Sequence, residues 1–216
     1  MTSLTAETVL AAYRIGVFPM ADSADDPDLY WVEPERRGIF PLDEFHVPKR
    51  LARTIRKEPF KVTVDTAFRR VMEECAAPCD DREATWINET ILALYGELHD
   101  IGYAHSVECW QDGELVGGLY GIAFESVFCG ESMFTRVTDA SKVALVYLVA
   151  RLIRGGYTLL DAQFITPHLE TLGAREISRM DYLTRLKKAL QSEGNFYSLG
   201  AGVTGSEILQ SITQTS

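Results

Sequence analysis

The segment from Gly117 to Gln163 constrains the fold more than any other part of the chain. Glycine inside a strand weakens it unless something must approach the backbone closely, so the glycine-rich strand from Gly117 to Gly121 indicates a cleft. Asp139 is placed to cap a helix that is dense in apolar residues and ends at Gly155-Gly156. The segment therefore predicts a strand, a largely buried helix and a second strand packed around a cleft.

The strand after this helix carries two polar side chains in an apolar setting. Tyr157 to Phe164 is a short apolar run that follows glycine, which is typical of an interior strand, yet it contains Asp161 and Gln163. Because these residues are two apart, they project from the same face, where the carboxylate can fix the orientation of the amide. A satisfied buried hydrogen-bond pair is the alternative interpretation from the sequence alone.

Composition limits the class of protein. With 216 residues, 46% of them hydrophobic, the chain can build one good core, or a large domain with a small one attached. Cys75 and Cys79 are separated by three residues, which fits neither a disulfide framework nor a zinc site, so we expect no metal. Free thiols, no export signal and no apolar segment of ~18 residues predict a cytoplasmic protein.

The charge distribution is uneven. A net charge of −10 argues against indiscriminate nucleic-acid binding, including DNA binding. A basic helix face stands out against this background and could contact the phosphates of a polyanion that touches only part of the surface, although a solvated helix face is the plainer interpretation. These residues are Lys49, Arg50, Arg53 and Arg56.

The order of elements predicts an α+β fold. Residues 1–59 are expected to form a small N-terminal α+β module, beginning with a helix capped by Thr5. Residues 60–216 follow the order β-α-α-β-β-β-α-β-α-β, with a hairpin at Asp112-Gly113, and form a mixed sheet with flanking helices. The Gly/Ser/Thr-rich tail after Gly194 is expected to be loosely held.

This order resembles the acyltransferase fold of the Gcn5-related N-acetyltransferases. Those enzymes bind the pyrophosphate of acetyl-CoA on a glycine-rich loop at a helix N-terminus. The corresponding segment here, Phe134 to Ser141, contains no glycine and has an acid, Asp139, at the cap. The comparison predicts an acyltransferase that uses a different acyl donor.

Seven further motifs follow one another along the chain: Ala11–Pro19, Thr85–Ile87, Ala104–Glu108, Leu115–Gly121, Gly130–Phe134, Ala140–Lys142 and Leu172–Ala174. Together they resemble the leucyl/phenylalanyl-tRNA protein transferase family over residues 5 to about 190. The resemblance implies transfer of leucine or phenylalanine, with methionine left open, from aminoacyl-tRNA to the N-terminal amine of proteins that begin with Arg or Lys, which creates a degradation signal of the N-degron pathway. It also implies a monomer that needs no cofactor and has no membrane or DNA partner.

The resemblance implies roles for individual residues. Asp161 and Gln163 correspond to the family's catalytic pair, and Glu131 would pair with the cationic side chain of the acceptor's first residue. Without the motif, Glu131 is equally an ordinary strand-end charge. Trp86 would stack on the terminal adenosine of the tRNA, together with Met20, which stands where many members have tryptophan.

The resemblance also implies an apolar pocket for the side chain of the transferred amino acid. Met133 is expected to form its floor, because a flexible thioether can adapt to leucine and phenylalanine. Each pocket position taken singly could equally be plain core. The pocket residues are Tyr95, Leu119, Phe128, Met133, Leu145, Leu148 and Leu160.

Three alternatives remain open at this point. A CoA-dependent N-acetyltransferase would bind acetyl-CoA, and a non-catalytic RNA-binding module would bind tRNA without turnover. An enzyme of the same reaction could instead use acceptors that begin with Asp or Glu. Glu131 disfavours this last alternative by like-charge repulsion.

Overall fold

A computed structural model of the chain describes residues 4–78 and 85–213. In chain order, the strands are β1 (Phe18–Met20), β2 (Tyr30–Val32), β3 (Arg36–Phe40), β4 (Lys61–Val64), β5 (Ala104–Gln111), β6 (Glu114–Phe124), β7 (Val127–Thr135), β8 (Leu159–Gln163) and β9 (Arg175–Ser178). The helices are α1 (Ala6–Arg14), α2 (Lys49–Lys57), α3 (Phe68–Ala76), α4 (Glu89–Asp100), α5 (Ala140–Arg154), α6 (Pro167–Glu170), α7 (Arg179–Ala189) and α8 (Gly205–Thr213).

The strands form a two-stranded sheet, β1-β2, and a seven-stranded mixed sheet in the order β4-β5-β6-β7-β8-β3-β9. Neighbours in the large sheet are antiparallel except β7 and β8, which run parallel. The pairing of β7 with β8 extends only from Val127 opposite Leu159 to Cys129 opposite Asp161. A gap between two central strands therefore opens beyond Cys129.

Helices cover both faces of the large sheet, and each face has its own apolar core. Helices α1, α3, α4 and α7 pack on one face, around residues such as Tyr13 and Tyr95. Helices α2, α5 and α8 pack on the other, around residues such as Leu145, Leu148 and Ile208. The predicted α+β class with a mixed sheet and flanking helices is confirmed. Strand β3, from the predicted N-terminal module, lies inside the large sheet, and the division at residue 59 stays a prediction.

Local signals placed several elements correctly. The Thr5 side chain accepts a hydrogen bond from the backbone N–H of Thr8 at the start of α1, as expected for a cap. Asp112 and Gly113 both have positive φ, 53° and 85°, as a two-residue hairpin turn requires, and they join β5 to β6.

The prediction that the Asp139 side chain caps α5 was wrong. The residue does precede α5, but its side chain makes no capping bond. Its Oδ1 instead accepts from Arg50 at 2.8 Å and lies 3.5 Å from the Lys142 ammonium. Two cations thus compete successfully with the helix N–H groups for this carboxylate.

The glycines of β6 do admit a close neighbour, but it belongs to the protein. A Cβ on Gly117 would lie 2.5 Å from the Cβ of Ala140, so this glycine lets the first turn of α5 rest on the strand. At Gly121 the near neighbours are the ring of Phe128 and the carbonyl of Cys129. The cleft predicted from these glycines lies instead at the gap between β7 and β8.

The C-terminal tail is packed over residues 195–213, contrary to the prediction. Phe196 is buried in a 3-10 turn over Phe196–Ser198, and Ile208 and Ile212 of α8 are buried against α5 and α2. Thr204 and Glu207 bond reciprocally at the start of α8, as in a capping box. The Gly/Ser/Thr composition concealed this short amphipathic helix.

Within the described parts of the chain, no helix combines the length and apolar character that crossing a bilayer requires. Nor do these residues bring three or more His, Cys, Asp or Glu side chains together in a cluster suited to a metal ion. Cys79, one of the cysteines considered in the sequence, lies outside the described residues.

Candidate active site

A pocket opens where β7 and β8 separate. Its volume is about 260 Å³, and helices α5 and α6 close it on the side away from the sheet. Mostly apolar side chains line it, with Glu131 at the strand gap and His168 and Thr166 from the α6 region. The apolar lining comprises Phe40, Leu119, Met133, Leu145, Leu148, Leu160, Ala162 and Leu169.

Five of the seven predicted pocket residues line this cavity, and two lie elsewhere. Phe128 is fully buried before the strands separate, and its ring stacks on Phe196 at 5.9 Å. Tyr95 lies on the opposite face of the sheet, where its hydroxyl points to Glu131. The pocket is therefore smaller at its inner end than the sequence implied.

A bulge in β7 places Glu131 at the gap. Tyr120 of β6 pairs with Ser132, and the adjacent Gly121 pairs with Gly130, so Glu131 is the extra residue between them. Bulges of this kind re-aim a side chain and are frequent beside active sites. The half-buried Glu131 carboxylate consequently turns towards the face of the sheet covered by α1 and α4.

Two tyrosines and an amide hold the Glu131 carboxylate. The Tyr13 hydroxyl donates to Oε1 at 2.7 Å, the Tyr95 hydroxyl donates to Oε2 at 3.2 Å, and the two hydroxyls lie 2.6 Å apart. Across the gap, Gln163 Nε2 donates to Oε1 at 2.9 Å. Burial raises the pKa of Glu131 to about 7, assisted by the charge of Asp161 and opposed by these hydrogen bonds.

The Asp161 side chain is fully buried, and both of its carboxylate oxygens accept hydrogen bonds. The Arg37 guanidinium binds the carboxylate in a bidentate manner, with Nε 2.9 Å from Oδ1 and Nη2 2.6 Å from Oδ2. The Tyr182 hydroxyl donates to Oδ2 at 2.8 Å, and the backbone N–H of Gln163 donates to Oδ1 at 2.8 Å. This carboxylate is therefore a structural anchor for its neighbours rather than a group facing the pocket.

The cation in this pair is held as firmly as the anion. The Arg37 guanidinium lies between the rings of Phe18 and Tyr182, 4.5 Å from each centroid, and its Nη1 donates to the carbonyl of Gly16 at 3.1 Å. The side chain is almost completely buried. Charge pairing, ring faces and a carbonyl together offset the cost of removing this charge from water.

Gln163 differs from its expected environment in one respect. Asp161 was expected to orient the side-chain amide, but it binds the backbone N–H and holds Gln163 in the left-handed region, at φ 59°. Glu131 orients the side-chain amide instead. With Nε2 donating to Glu131, the amide oxygen of Gln163 is the atom available to accept from a ligand.

The sequence matches the models of a known protein family over most of its length. The family model described as leucyl/phenylalanyl-tRNA protein transferase matches residues 39–187, and the model of that family's N-terminal domain matches residues 2–35. The chain belongs to this family. A leucyl/phenylalanyl-tRNA protein transferase of Caulobacter vibrioides is 57% identical over 214 residues, covering 99% of both chains. Those of Phenylobacterium zucineum and Paramagnetospirillum magneticum are 55% and 60% identical, over 100% and 88% of this chain and 100% and 91% of their own.

A solved structure of L-PGS from Bacillus licheniformis overlaps 72% of this chain and about half of its own length, 51%. Its sequence identity is 15% and the TM-score is 0.38, so the likeness is too distant to carry an argument.

The two residues expected beside the tRNA adenosine lie in this transferase against the same apolar core. Met20 is half-buried in β1 opposite Tyr30, and Trp86 is half-buried three residues before α4. Asn88 Nδ2 donates to the carbonyl of Asp26 at 2.6 Å and so ties the loop after β1 to the segment that carries Trp86.

The basic residues expected to contact phosphate lie along the exposed face of α2. Arg50 is engaged with Asp139 at 2.8 Å, although 70% of its side chain is exposed. Among the described residues, no carboxylate lies within ion-pair distance of the other three. These are Lys49, Arg53 and Arg56.

Sequence reasoning missed three residues that organise the site: Arg37, Tyr13 and Tyr182. Signals for two of them were present. Arg37 is in phase with the buried Ile39 on its strand, which predicts an inward-facing cation that needs a partner. Tyr13 lies on the same helical face as the buried Val9 and Leu10, which predicts a buried hydroxyl that needs an acceptor.

Proposed function

We propose that this chain transfers leucine or phenylalanine, and also methionine, from aminoacyl-tRNA to the N-terminal amine of proteins that begin with Arg or Lys. The product would carry a degradation signal of the N-degron pathway. The observation that carries this proposal is the apolar pocket beside the hydrogen-bonded pair Glu131 and Gln163. Apolar side chains such as those of leucine, phenylalanine and methionine suit a pocket of about 260 Å³ whose lining is mostly apolar.

In this proposal each part of the site has one task. The pocket takes the side chain of the donor amino acid, with Met133 in its lining, and thereby brings the ester carbonyl to the gap between the strands. The Gln163 amide oxygen accepts a hydrogen bond from the incoming amine. Asp161 is a positioning residue, because it fixes the backbone of Gln163 and is itself shielded from substrate. An aminoacyl ester is already activated, so proximity and proton removal suffice.

The acceptor and the tRNA would meet the site from outside the pocket. The carboxylate of Glu131 supplies negative charge near the acceptor and disfavours acceptors that begin with Asp or Glu. Trp86 and Met20 are proposed to pack on the terminal adenosine, and the exposed cations of α2 to contact phosphate. Little of the tRNA body would then be recognised.

We further propose that the scaffold is related to that of the Gcn5-related N-acetyltransferases, with residues 1–59 as an accessory module and 60–216 as the catalytic domain. The parallel pair β7 and β8, which separates at the candidate site, supports this relation. At the start of α5, the Asp139 carboxylate occupies the place where a CoA pyrophosphate would need donors. The enzyme would act as a cytoplasmic monomer without a cofactor, because its donor ester is activated and tRNA is cytoplasmic.

The direct test is transfer of labelled leucine from Leu-tRNA to four matched peptides that begin with Arg, Lys, Asp or Glu. Uncharged tRNA with free leucine is the control. We expect label on the Arg and Lys peptides alone. Label on the Asp and Glu peptides would contradict the acceptor assignment, and absence of label on all four, together with acetylation from acetyl-CoA, would contradict the donor assignment.

A further inference from the structure

We propose that Glu131 is the catalytic group that removes the proton from the acceptor's α-ammonium, with Tyr13 and Tyr95 as its positioning residues. This inference rests on the proposed function and deepens it. It gives Glu131 a different partner from the one the sequence implied, since the nitrogen that it meets is the reacting amine and not the acceptor's first side chain.

The reaction requires a proton acceptor. An α-amino group has a pKa of about 7.7–8.0, so most of it is protonated at neutral pH and cannot attack an ester. During transfer, the amine nitrogen forms a bond to the ester carbonyl carbon, and the bond from that carbon to the ribose oxygen breaks. One proton leaves the ammonium before attack, and a second passes from the nitrogen to the departing ribose oxygen. The first proton needs a base in the site.

Asp161 does not meet this need. Its two oxygens already accept hydrogen bonds from Arg37, Tyr182 and the backbone of Gln163, and the residue has no exposed surface. A proton on Asp161 would break its pair with a buried guanidinium, which is costly.

Gln163 does not meet the need either, because an amide has no useful basicity near neutral pH. Its role follows from the two polar atoms of its amide, the nitrogen Nε2 and the oxygen. Nε2 donates to Glu131 Oε1 at 2.9 Å, while the amide oxygen can hold one N–H of the amine. An amine bound in this way lies beside the Glu131 carboxylate, which has no ion-pair partner among the described residues.

Glu131 has the position and the environment of a general base. The bulge in β7 places it at the gap, it lines the apolar pocket, and it remains partly exposed. The groups that face it are Tyr13 from α1, Tyr95 from α4, and Gln163 and Asp161 from β8. The charge of Asp161 is paired with Arg37 of β3. Burial raises the pKa of Glu131 to about 7, close to the operating pH that favours general-base catalysis.

The two tyrosines keep this carboxylate in place through proton transfer. Burial raises the pKa of each tyrosine, so both hydroxyls stay protonated and donate to Glu131, with their oxygens 2.6 Å apart. When Glu131 takes up a proton, Oε2 is the oxygen with spare capacity, because among the described residues it accepts a single bond, from Tyr95 at 3.2 Å. The amine proton is therefore expected on Oε2.

The test compares wild type with Glu131→Gln on two peptides that differ only at the reacting nitrogen. One has an N-terminal Arg with its normal α-amine. In the other, an aminooxy group replaces the α-amine, and this nucleophile is already unprotonated at neutral pH. Glu125→Gln is the matched control, since Glu125 is a half-buried glutamate in the turn between β6 and β7 that pairs with Arg14 outside the site.

We expect Glu131→Gln to lower kcat/KM for the amine peptide by about 100-fold or more, the usual contribution of a general base. The rising limb of the pH profile near 7 should vanish, leaving the limb of the amine itself. With the aminooxy peptide the loss should be below about fivefold, and Glu125→Gln should match wild type on both. Binding of Leu-tRNA should be unchanged.

Two results would overturn the proposal. Equal losses on the amine and aminooxy peptides would give Glu131 a structural or orienting role only. A loss confined to KM, present with Arg and absent with its neutral isostere citrulline, would restore the pairing of Glu131 with the acceptor's side chain. If wild type transferred leucine to neither peptide, the proposed function itself would fail, and this outcome is distinct from a failure in the variant alone.

Discussion

Replacing Arg37 with methionine should lower the free energy of unfolding by about 3–5 kcal/mol, the cost of leaving one partner of a buried ion pair uncompensated. The estimate follows from the geometry. The guanidinium makes three contacts of 2.6 to 3.1 Å with Asp161, and neither side chain is more than 2% exposed. Tyr182 and the Gln163 backbone still donate to Asp161 in the variant, but neither carries a charge.

A double-mutant cycle separates this cause from general damage to packing. Asp161→Asn alone should also destabilise the protein, because it leaves the guanidinium of Arg37 buried without an anion. In the Arg37→Met background, the same change should instead restore stability, since it removes the uncompensated carboxylate. Arg37→Lys, which keeps the charge but loses the fork, should fall between wild type and Arg37→Met.

The assay is urea unfolding at pH 7, followed by tryptophan fluorescence and circular dichroism to confirm two-state behaviour. The double variant is expected to be more stable than Arg37→Met. Additive losses from the two single changes, with no coupling energy, would refute the assignment of Arg37 and Asp161 as a mutually dependent pair.

Three further predictions concern other parts of the molecule. Because burial raises the pKa of Glu131 from 4.5 to about 7, its contribution to stability is fully present below pH 4.5 and is lost as the pH rises towards 7. Between pH 5 and 8, wild type should therefore lose about 2–3 kcal/mol relative to Glu131→Gln, and parallel unfolding curves at both pH values would contradict this. Ile208→Ala should cost about 2–5 kcal/mol, because Ile208 is fully buried under α5, and a neutral effect in urea unfolding would mean that the tail is loosely held after all. Neutralising Lys49, Arg53 and Arg56 together should reduce the slope of log K against log salt for tRNA binding by about 2, whereas an unchanged slope would leave α2 as solvated surface.

The features that the sequence predicted well depend on residues close together along the chain. Asp112-Gly113 supplies both positive φ angles of its turn from the residue types alone, so the hairpin needs no distant partner. The i, i+2 spacing of Asp161 and Gln163 likewise placed both side chains on one strand at the site. The family resemblance then identified five of the lining residues without showing where the cavity ends.

What the sequence left open depends on partners that are distant along the chain. Arg37 meets Asp161 across 124 positions, and Tyr13 meets Glu131 across 118, so no local pattern joins them. The error at Phe128 has the same origin. Its ring is covered by Phe196 from the tail, which had been expected to be loosely held, and so it is excluded from the pocket.

The central claim is that the pocket between β7 and β8 selects the transferred amino acid, while the enzyme recognises little of the tRNA body. The most direct measurement charges one tRNA body in turn with leucine, phenylalanine, methionine or aspartate, and follows transfer to a single Arg-peptide by mass spectrometry. Transfer of the three apolar amino acids, with none of aspartate, is the predicted result. Equal transfer of all four, or transfer that follows the tRNA body when the same amino acid is placed on different tRNAs, would contradict the account.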